Sequence, residues 1–309
     1  MRITPVGLLL LALGAGCSGA PVGSSTLTPT YGAPARQLTF SPAKDFAPVW
    51  TPDGRAIIYI SDETGEWGLR ELDPRAPAPR ALTLDRYQYT NPFVTPDGSI
   101  AVASDRGSST RAWLDLWLLE RDGTRERRLI SETPSVKEFV PAISPDGRLL
   151  AYLDLPMNRP PQYRLIVVEL SGGLPRILTE DRVEFSPIRF SPDGRHILFT
   201  SSRMGSADVW TIGVDGGGAR PLTNRPSREV AGDWSRDGAA IVFVSNQNGM
   251  DELWLMDPQG QDVRQLTSDL ATASLPAFSP DGSQVVYTST KSRNEDLWII
   301  SLRPLGLTQ

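Results

Sequence analysis

Four acidic side chains stand at one level of a recurring pattern. Asp45, Glu138 and Glu229 each lie six residues before a turn Ser or Thr, and Glu184 matches Glu138 with one extra residue after it. Tyr89 and Ala273 hold the same position in two further copies. Carboxylates brought to one level raise each other's pKa or demand a counter-charge. Asp45, Tyr89, Glu138, Glu184 and Glu229 are therefore the candidate site for a cation or for a basic side chain of a partner. Paired carboxylates would also suit lyase or hydrolase chemistry. The alternative is local neutralisation: Lys44, Lys137, Arg182 and Arg228 sit one or two residues before each acid, and structural ion pairs shift charge too.

A second set of candidates lies in two long loops. Thirteen residues separate Ser104 from Trp117, where four equivalent stretches take nine, and the longer stretch holds Arg106, Arg111 and Trp113. The next copy carries Pro156-Met157-Asn158-Arg159-Pro160-Pro161-Gln162-Tyr163. Arg, Trp, Met and Tyr are enriched at interfaces, and long loops often carry function. Arg111, Trp113, Met157, Arg159 and Tyr163 are thus the candidate partner contacts, unless these loops fold back on their own strands.

Composition narrows the chemistry. The 309 residues include 31 basic and 36 acidic side chains, a net charge of −5, which argues against a nucleic-acid binder. The one cysteine excludes an internal disulfide framework and a cysteine-rich zinc site. The one histidine excludes a mechanism needing two imidazoles. His196 itself follows a turn on a strand, away from the candidate ring, so catalysis there is not expected. No cofactor is expected, a cation held by the acidic ring being the alternative.

Those side chains must be positioned by a repeated unit. The turn sequence recurs as Thr51-Pro52-Asp53-Gly54, Thr95-Pro96-Asp97-Gly98, Ser144-Pro145-Asp146-Gly147, Ser191-Pro192-Asp193-Gly194, Ser235-Arg236-Asp237-Gly238 and Ser279-Pro280-Asp281-Gly282. Pro presets φ, Asp accepts backbone N–H bonds, and Gly takes the left-handed position of a strand-to-strand turn. Its aspartates therefore recur for the turn and are not a metal array. Apolar runs flank each turn, a serine closes the second run, and a third run reads Asp-Leu-Trp or Glu-Leu-Trp. A fourth ends in Leu-Thr, as in Leu222-Thr223. Repeats spaced 44 to 49 residues apart with this chemistry predict an all-β fold, a six-bladed β-propeller with four antiparallel strands per blade. Trp117, Trp210, Trp254 and Trp298 share one position, so they should pack between blades. Arg36-Gln37-Leu38-Thr39 is a fourth-strand motif with no strands before it and is able to complete the sixth blade; Leu307-Thr308 competes for the same place.

The start of the chain reads differently. Residues 1–16 combine Arg2, the apolar run Leu8–Leu13 and small residues, a secretory signal. Cys17 follows Ala15-Gly16 and resembles the lipidated first residue of a bacterial lipoprotein; cleavage after Ala20 is the alternative. Residues 17–35 form a flexible tether, whose Ser, Gly, Pro, Thr and Ala stretch spans about 23 Å as a coil. Residues 36–309 hold the propeller.

The repeat, from about residue 36 to 302, resembles the TolB-type, WD40-like propeller unit built around Ser-Pro-Asp-Gly and a later Asp-Leu-Trp. No α/β domain stands ahead of the repeats here, in contrast to TolB proper. The resemblance implies binding of an envelope protein, such as an outer-membrane or peptidoglycan-associated lipoprotein, through the propeller. Similar propellers accompany hydrolase domains, but the chain has no Gly-x-Ser-x-Gly nucleophile motif. The expected protein is an exported, lipid-anchored, non-catalytic scaffold at a bacterial cell envelope, binding through the channel mouth and the loops of blades two and three. A small-ligand, sugar or cation receptor, or an enzyme acting at an acidic channel mouth, is the alternative.

Overall fold

The computed structural model describes residues 34–302 apart from 84–85, 108–113, 131–135, 158–161 and 270. Strand β1 (Arg36–Gln37) precedes the first blade, which is β2 (Asp45–Trp50), β3 (Ile57–Ser61), β4 (Gly68–Asp73) and β5 (Ala76–Ala81). Blade two is β6 (Tyr89–Val94), β7 (Ile100–Ser104), β8 (Asp115–Leu119) and β9 (Glu126–Arg128). Blade three is β10 (Val136–Ile143), β11 (Leu149–Pro156), β12 (Tyr163–Glu169) and β13 (Arg176–Val183). Blade four is β14 (Arg189–Phe190), β15 (His196–Ser201), β16 (Asp208–Gly213) and β17 (Arg220–Pro221). Blade five is β18 (Glu229–Trp234), β19 (Ile241–Ser245), β20 (Glu252–Met256) and β21 (Arg264–Gln265). The last three strands are β22 (Ala273–Phe278), β23 (Gln284–Ser289) and β24 (Asp296–Ser301).

Every pairing is antiparallel, as the turn spacing predicts. Four sheets have four strands each, and β1 completes one of them by pairing with β24, Arg36 opposite Ile299 and Gln37 opposite Trp298. The motif at residues 36–39 thus takes the closing place; residues 303–309, which hold its competitor, lie outside the described residues. Blades three and four differ from the expected separate sheets. They join in one eight-stranded sheet through a single pair, Val183 opposite Ser201. The cause is length. Asp45 to Val49 spans four residues opposite Ser61 to Ile58, whereas Val183 to Arg189 spans six opposite Ser201 to Leu198. The surplus leaves the start of the first strand attached to the end of β13.

The core is distributed in seams. Six apolar clusters occur, each joining two neighbouring blades. Trp50, Ile57 and Tyr59 meet Val286, Leu297 and Ile299 at the closing seam, and Leu198 and Val209 meet Ile241, Phe243 and Trp254 between blades four and five. Trp210 and Trp298 lie in two other seams, as their shared position requires.

Each repeated motif has a bond that explains it. In the first turn the Thr51 hydroxyl donates to Asp53 Oδ1 at 2.6 Å, and the same oxygen accepts the Arg55 N–H at 3.1 Å. These bonds hold the Asp53 carboxyl down at about 2. In the Leu-Thr motif the threonine hydroxyl accepts the N–H of the third strand: Leu69 to Thr83, Val209 to Thr223, Leu253 to Thr267 and Leu297 to Thr39, all at 2.9–3.0 Å. That hydroxyl then donates to the acid that opens the third strand, Asp208, Glu252 or Asp296. The tryptophan after that acid is capped by a cation two residues past the closing serine, Arg203 over Trp210 at 4.4 Å and Lys291 over Trp298 at 5.1 Å. Blade one inverts the pair. Arg70 replaces the tryptophan, Glu63 replaces the cation, and the two meet at 3.7 Å.

Candidate functional site

Strand direction divides the ring into two faces. First strands end, and third strands end, at tight turns on one face. The opposite face, the mouth, carries the loops between second and third strands and the connections from one blade to the next.

Three of the four predicted acids are buried, and Glu184 is half-buried in the connection from β13 to β14. Asp45, Glu138 and Glu229 are each at most 2% exposed. Asp45 lies in the closing seam beside the hydroxyls of Ser61 and Thr39 and the carboxylate of Asp296; burial, more than Asp296, raises its carboxyl to about 6. Glu229 occupies the matching place between blades four and five. It accepts from the hydroxyls of Ser227 and Ser245, the latter at 2.9 Å, and burial raises its pKa, with Asp208 adding to the effect. Asp45 Oδ1 and Glu229 Oε2 have no hydrogen-bond partner among the described residues. Tyr89 is buried as well, and burial moves its phenol up to about 12. Glu184 leaves the common level, because Val183 takes the slot opposite Ser201 and Glu184 receives the Ser202 hydroxyl instead. Two of the nearby cations pair with other acids. Lys44 meets Glu295 at 3.5 Å and Arg228 meets Asp251 at 3.1 Å. Asp45 and Glu229 are thus separate seam groups, because the alternation of the first strand turns this position toward the neighbouring blade.

What lines the axis is the next part of each first strand. A register shift follows Phe46, Thr90, Phe139, Ala231 and Ser274, and Ala47, Asn91, Val140 and Leu275 have φ near +50°. Prolines follow these four residues and need no ladder bond at a bulge. The bulge N–H groups find partners across the seams: Ala47 donates to the Thr288 hydroxyl at 3.3 Å and Ala231 to that of Thr200 at 2.9 Å. About 20 Å³ of free space remains on the axis, among Ala47, Asn91, Val140, Arg189, Leu275 and neighbouring prolines. That is room for roughly one water.

Two charged residues at the axis are missing from the sequence reading. Arg189 Nε lies 3.6 Å from Asp233 Oδ1. The guanidinium stands over the Phe93 ring at 5.6 Å, and Asp233 accepts the Phe278 N–H at 3.0 Å. Burial pushes the Asp233 carboxyl up, and Arg189 opposes that push. The column they occupy reads Val49, Phe93, Ala142 and Ala277 in the other blades. Opposite charges in consecutive copies of an apolar column are a readable signal, since Arg189 and Asp233 both stand two residues before the turn serine.

The mouth loops carry the exposed apolar side chains. Of six large apolar residues exposed among the described ones, Phe40, Met157, Met204 and Met250 lie in mouth loops, while Leu174 and Ile177 lie at the outer edge of blade three. Blades three, four and five each present one methionine. Met157 is half exposed. Tyr163 instead packs against Phe139 and Phe185, with ring centres 6.0 and 5.5 Å away. Arg111, Trp113 and Arg159 lie outside the described residues, as does Cys17. A groove of about 590 Å³ opens between Met204-Gly205-Ser206 and Asn224-Arg225-Pro226. His196 is exposed at the start of β15, on the turn face. No cluster of three or more His, Cys, Asp or Glu able to hold a metal occurs among the described residues.

Comparison with known proteins follows the same lines. Residues 117–304 match the model of the TolB beta propeller domain. An uncharacterized protein of Agrobacterium fabrum is 28% identical over 192 residues, 61% of this chain and 60% of that protein. The Tol-Pal system protein TolB of Anaeromyxobacter dehalogenans is 32% identical over 163 residues, 52% of this chain and 35% of that one. The match thus spans less than two thirds of either relative. Among solved structures, TolB from Acinetobacter baumannii aligns at 22% identity with a TM-score of 0.63, covering 85% of this chain and 64% of that one. An oligogalacturonate lyase in complex with manganese aligns at 17% identity with a TM-score of 0.61, covering 87% and 93%. At these identities the likeness is one of fold.

Proposed function

The chain belongs to the TolB beta propeller family, and from that premise we propose that it is a non-catalytic protein-binding module of the bacterial envelope that recognises its partner with the mouth face. One observation carries the reading: four of the six large apolar side chains exposed among the described residues lie in the mouth loops. The partner is an envelope protein, in line with the Tol-Pal system named for several relatives. Residues 1–16 act as the export signal, Cys17 carries the lipid and the tether keeps the ring near a membrane. Loss of palmitate labelling in Cys17→Ser tests the anchor.

The partner reading is tested by site-specific photocrosslinking in cells. A probe at Met157 or Met250 should capture one defined envelope protein, and a probe at Asp122 on the turn face should not. Equal capture from both faces, or none, would reject it. The lyase fold neighbours supply the enzyme alternative, and turnover of oligogalacturonate by the purified chain would establish that instead.

A further inference from the structure

We propose that the groove between Met204 and Pro226 seats an extended segment of a protein partner that presents an apolar side chain next to a carboxylate. This rests on the mouth-face reading and names the chemistry of the partner.

Met204 and Pro226 are the apolar side chains of a groove otherwise lined by Gly205, Ser206, Asn224 and Arg225, and Arg225, though attracted to buried Glu229, has no ion pair among the described residues. Met204 is about half exposed, and Pro226 faces it across about 590 Å³. Methionine is flexible and polarizable, which suits it to apolar side chains of varied shape. Charges around the groove are already matched. Arg203 lies 3.5 Å from Asp181, Arg228 lies 3.1 Å from Asp251, and Glu184 holds the Ser202 hydroxyl. Arg225 differs. Its guanidinium bonds to the neutral side-chain oxygen of Gln247, on the same loop that carries Met250. Its backbone is fixed on both sides, with the N–H donating to buried Asp208 at 3.3 Å and the carbonyl accepting the Ser206 hydroxyl at 2.7 Å. A cation held in place, with planar donors free beyond one neutral contact, is suited to a carboxylate.

The test selects a phage-displayed random dodecapeptide library against the full chain and measures the enriched peptides by fluorescence polarisation. Enriched peptides should carry Asp or Glu within two residues of a bulky apolar residue. Arg225→Glu, or replacing the peptide acid by its amide, should each weaken binding at least tenfold, and the two losses should not multiply. Arg225→Lys should keep part of the binding, weakening it less than Arg225→Glu because the charge stays and the planar fork is lost, and Met204→Ser should weaken it several-fold. Enrichment without acidic-apolar character, or peptides indifferent to Arg225→Glu, would overturn the proposal. So would phosphatidylglycerol vesicles that bind through Arg225 when no peptide is enriched. Cellular crosslinking at Met157 that persists in Arg225→Glu and Met204→Ser would sink the groove and leave the binding module standing.

Discussion

Replacing Asp45 by asparagine should stabilise the protein at neutral pH. Asp45 is 2% exposed, one of its carboxylate oxygens has no hydrogen-bond partner among the described residues, and Asp296 lies close by. Its pKa rises from 3.8 to about 6 on folding. A raised folded pKa means that the native state holds the proton more tightly than the unfolded chain. The favourable contribution is complete below pH 3.8 and is lost as pH rises through 6. At about 1.4 kcal/mol per pH unit, the ionised form costs the native state about 3 kcal/mol. Asparagine removes that cost and still accepts from a hydroxyl; an unpaired amide N–H returns about 1 kcal/mol. The expected gain at pH 7.5 is therefore about 2–3 kcal/mol, shrinking to nothing or to a small deficit near pH 4. Urea denaturation followed by tryptophan fluorescence from pH 4 to 8 measures it. A variant less stable than the parent at pH 7.5, or a difference that does not change with pH, would refute the seam argument.

Other features give further expectations. A Cβ on Gly123 or Gly260 would lie 2.1 Å from the carbonyl oxygen of Leu82 or Leu222, at φ of +75° and +85°, so either alanine variant should lose about 3 kcal/mol or more. Gly65 has a similar φ in open space, and its alanine variant should lose only about 1–2 kcal/mol; thermal melts separate the two cases. Arg189→Ala alone strands Asp233 and should cost about 3–5 kcal/mol. Arg189→Val with Asp233→Ala, the residues other blades use, should recover most of that loss in chemical denaturation. Glu63→Arg should destabilise blade one by about 1–2 kcal/mol by facing Arg70 with a second cation. Adding Arg70→Trp should relieve it and rebuild the cation–aromatic pair of the other blades, measurable as a double-mutant coupling.

The fold is readable in the chain because its signals are local and repeated. Ser-Pro-Asp-Gly and Leu-Thr each satisfy bonds within a few strands, so their chemistry is visible without the ring. The site is less readable because it depends on which way a side chain points across a seam. Asp45 and Glu229 stand at one sequence level, yet both turn into seams and away from the opening. Glu184 is displaced by a first strand two residues longer than the others, a surplus that counting from the turn understates. Met204 and Arg225 are twenty-one residues apart in the chain, and neither position repeats, so only the folded ring brings them to one groove.

The strand that closes the ring also sets how the molecule responds to being pulled. Chain upstream of Arg36 joins β1 at the turn face, and β1 holds β24 through a short ladder extended by the Leu38 N–H to the Leu297 carbonyl at 2.8 Å. The Arg36 guanidinium adds a clamp on the Pro74 carbonyl of blade one. Tension drawn along β1 loads these bonds together in shear, whereas tension drawn outward from the edge peels them one after another. A tug-of-war between the N-terminal segment and a partner held at the mouth therefore runs through this one seam, and its direction decides whether the ring resists as a rivet or opens as a zip.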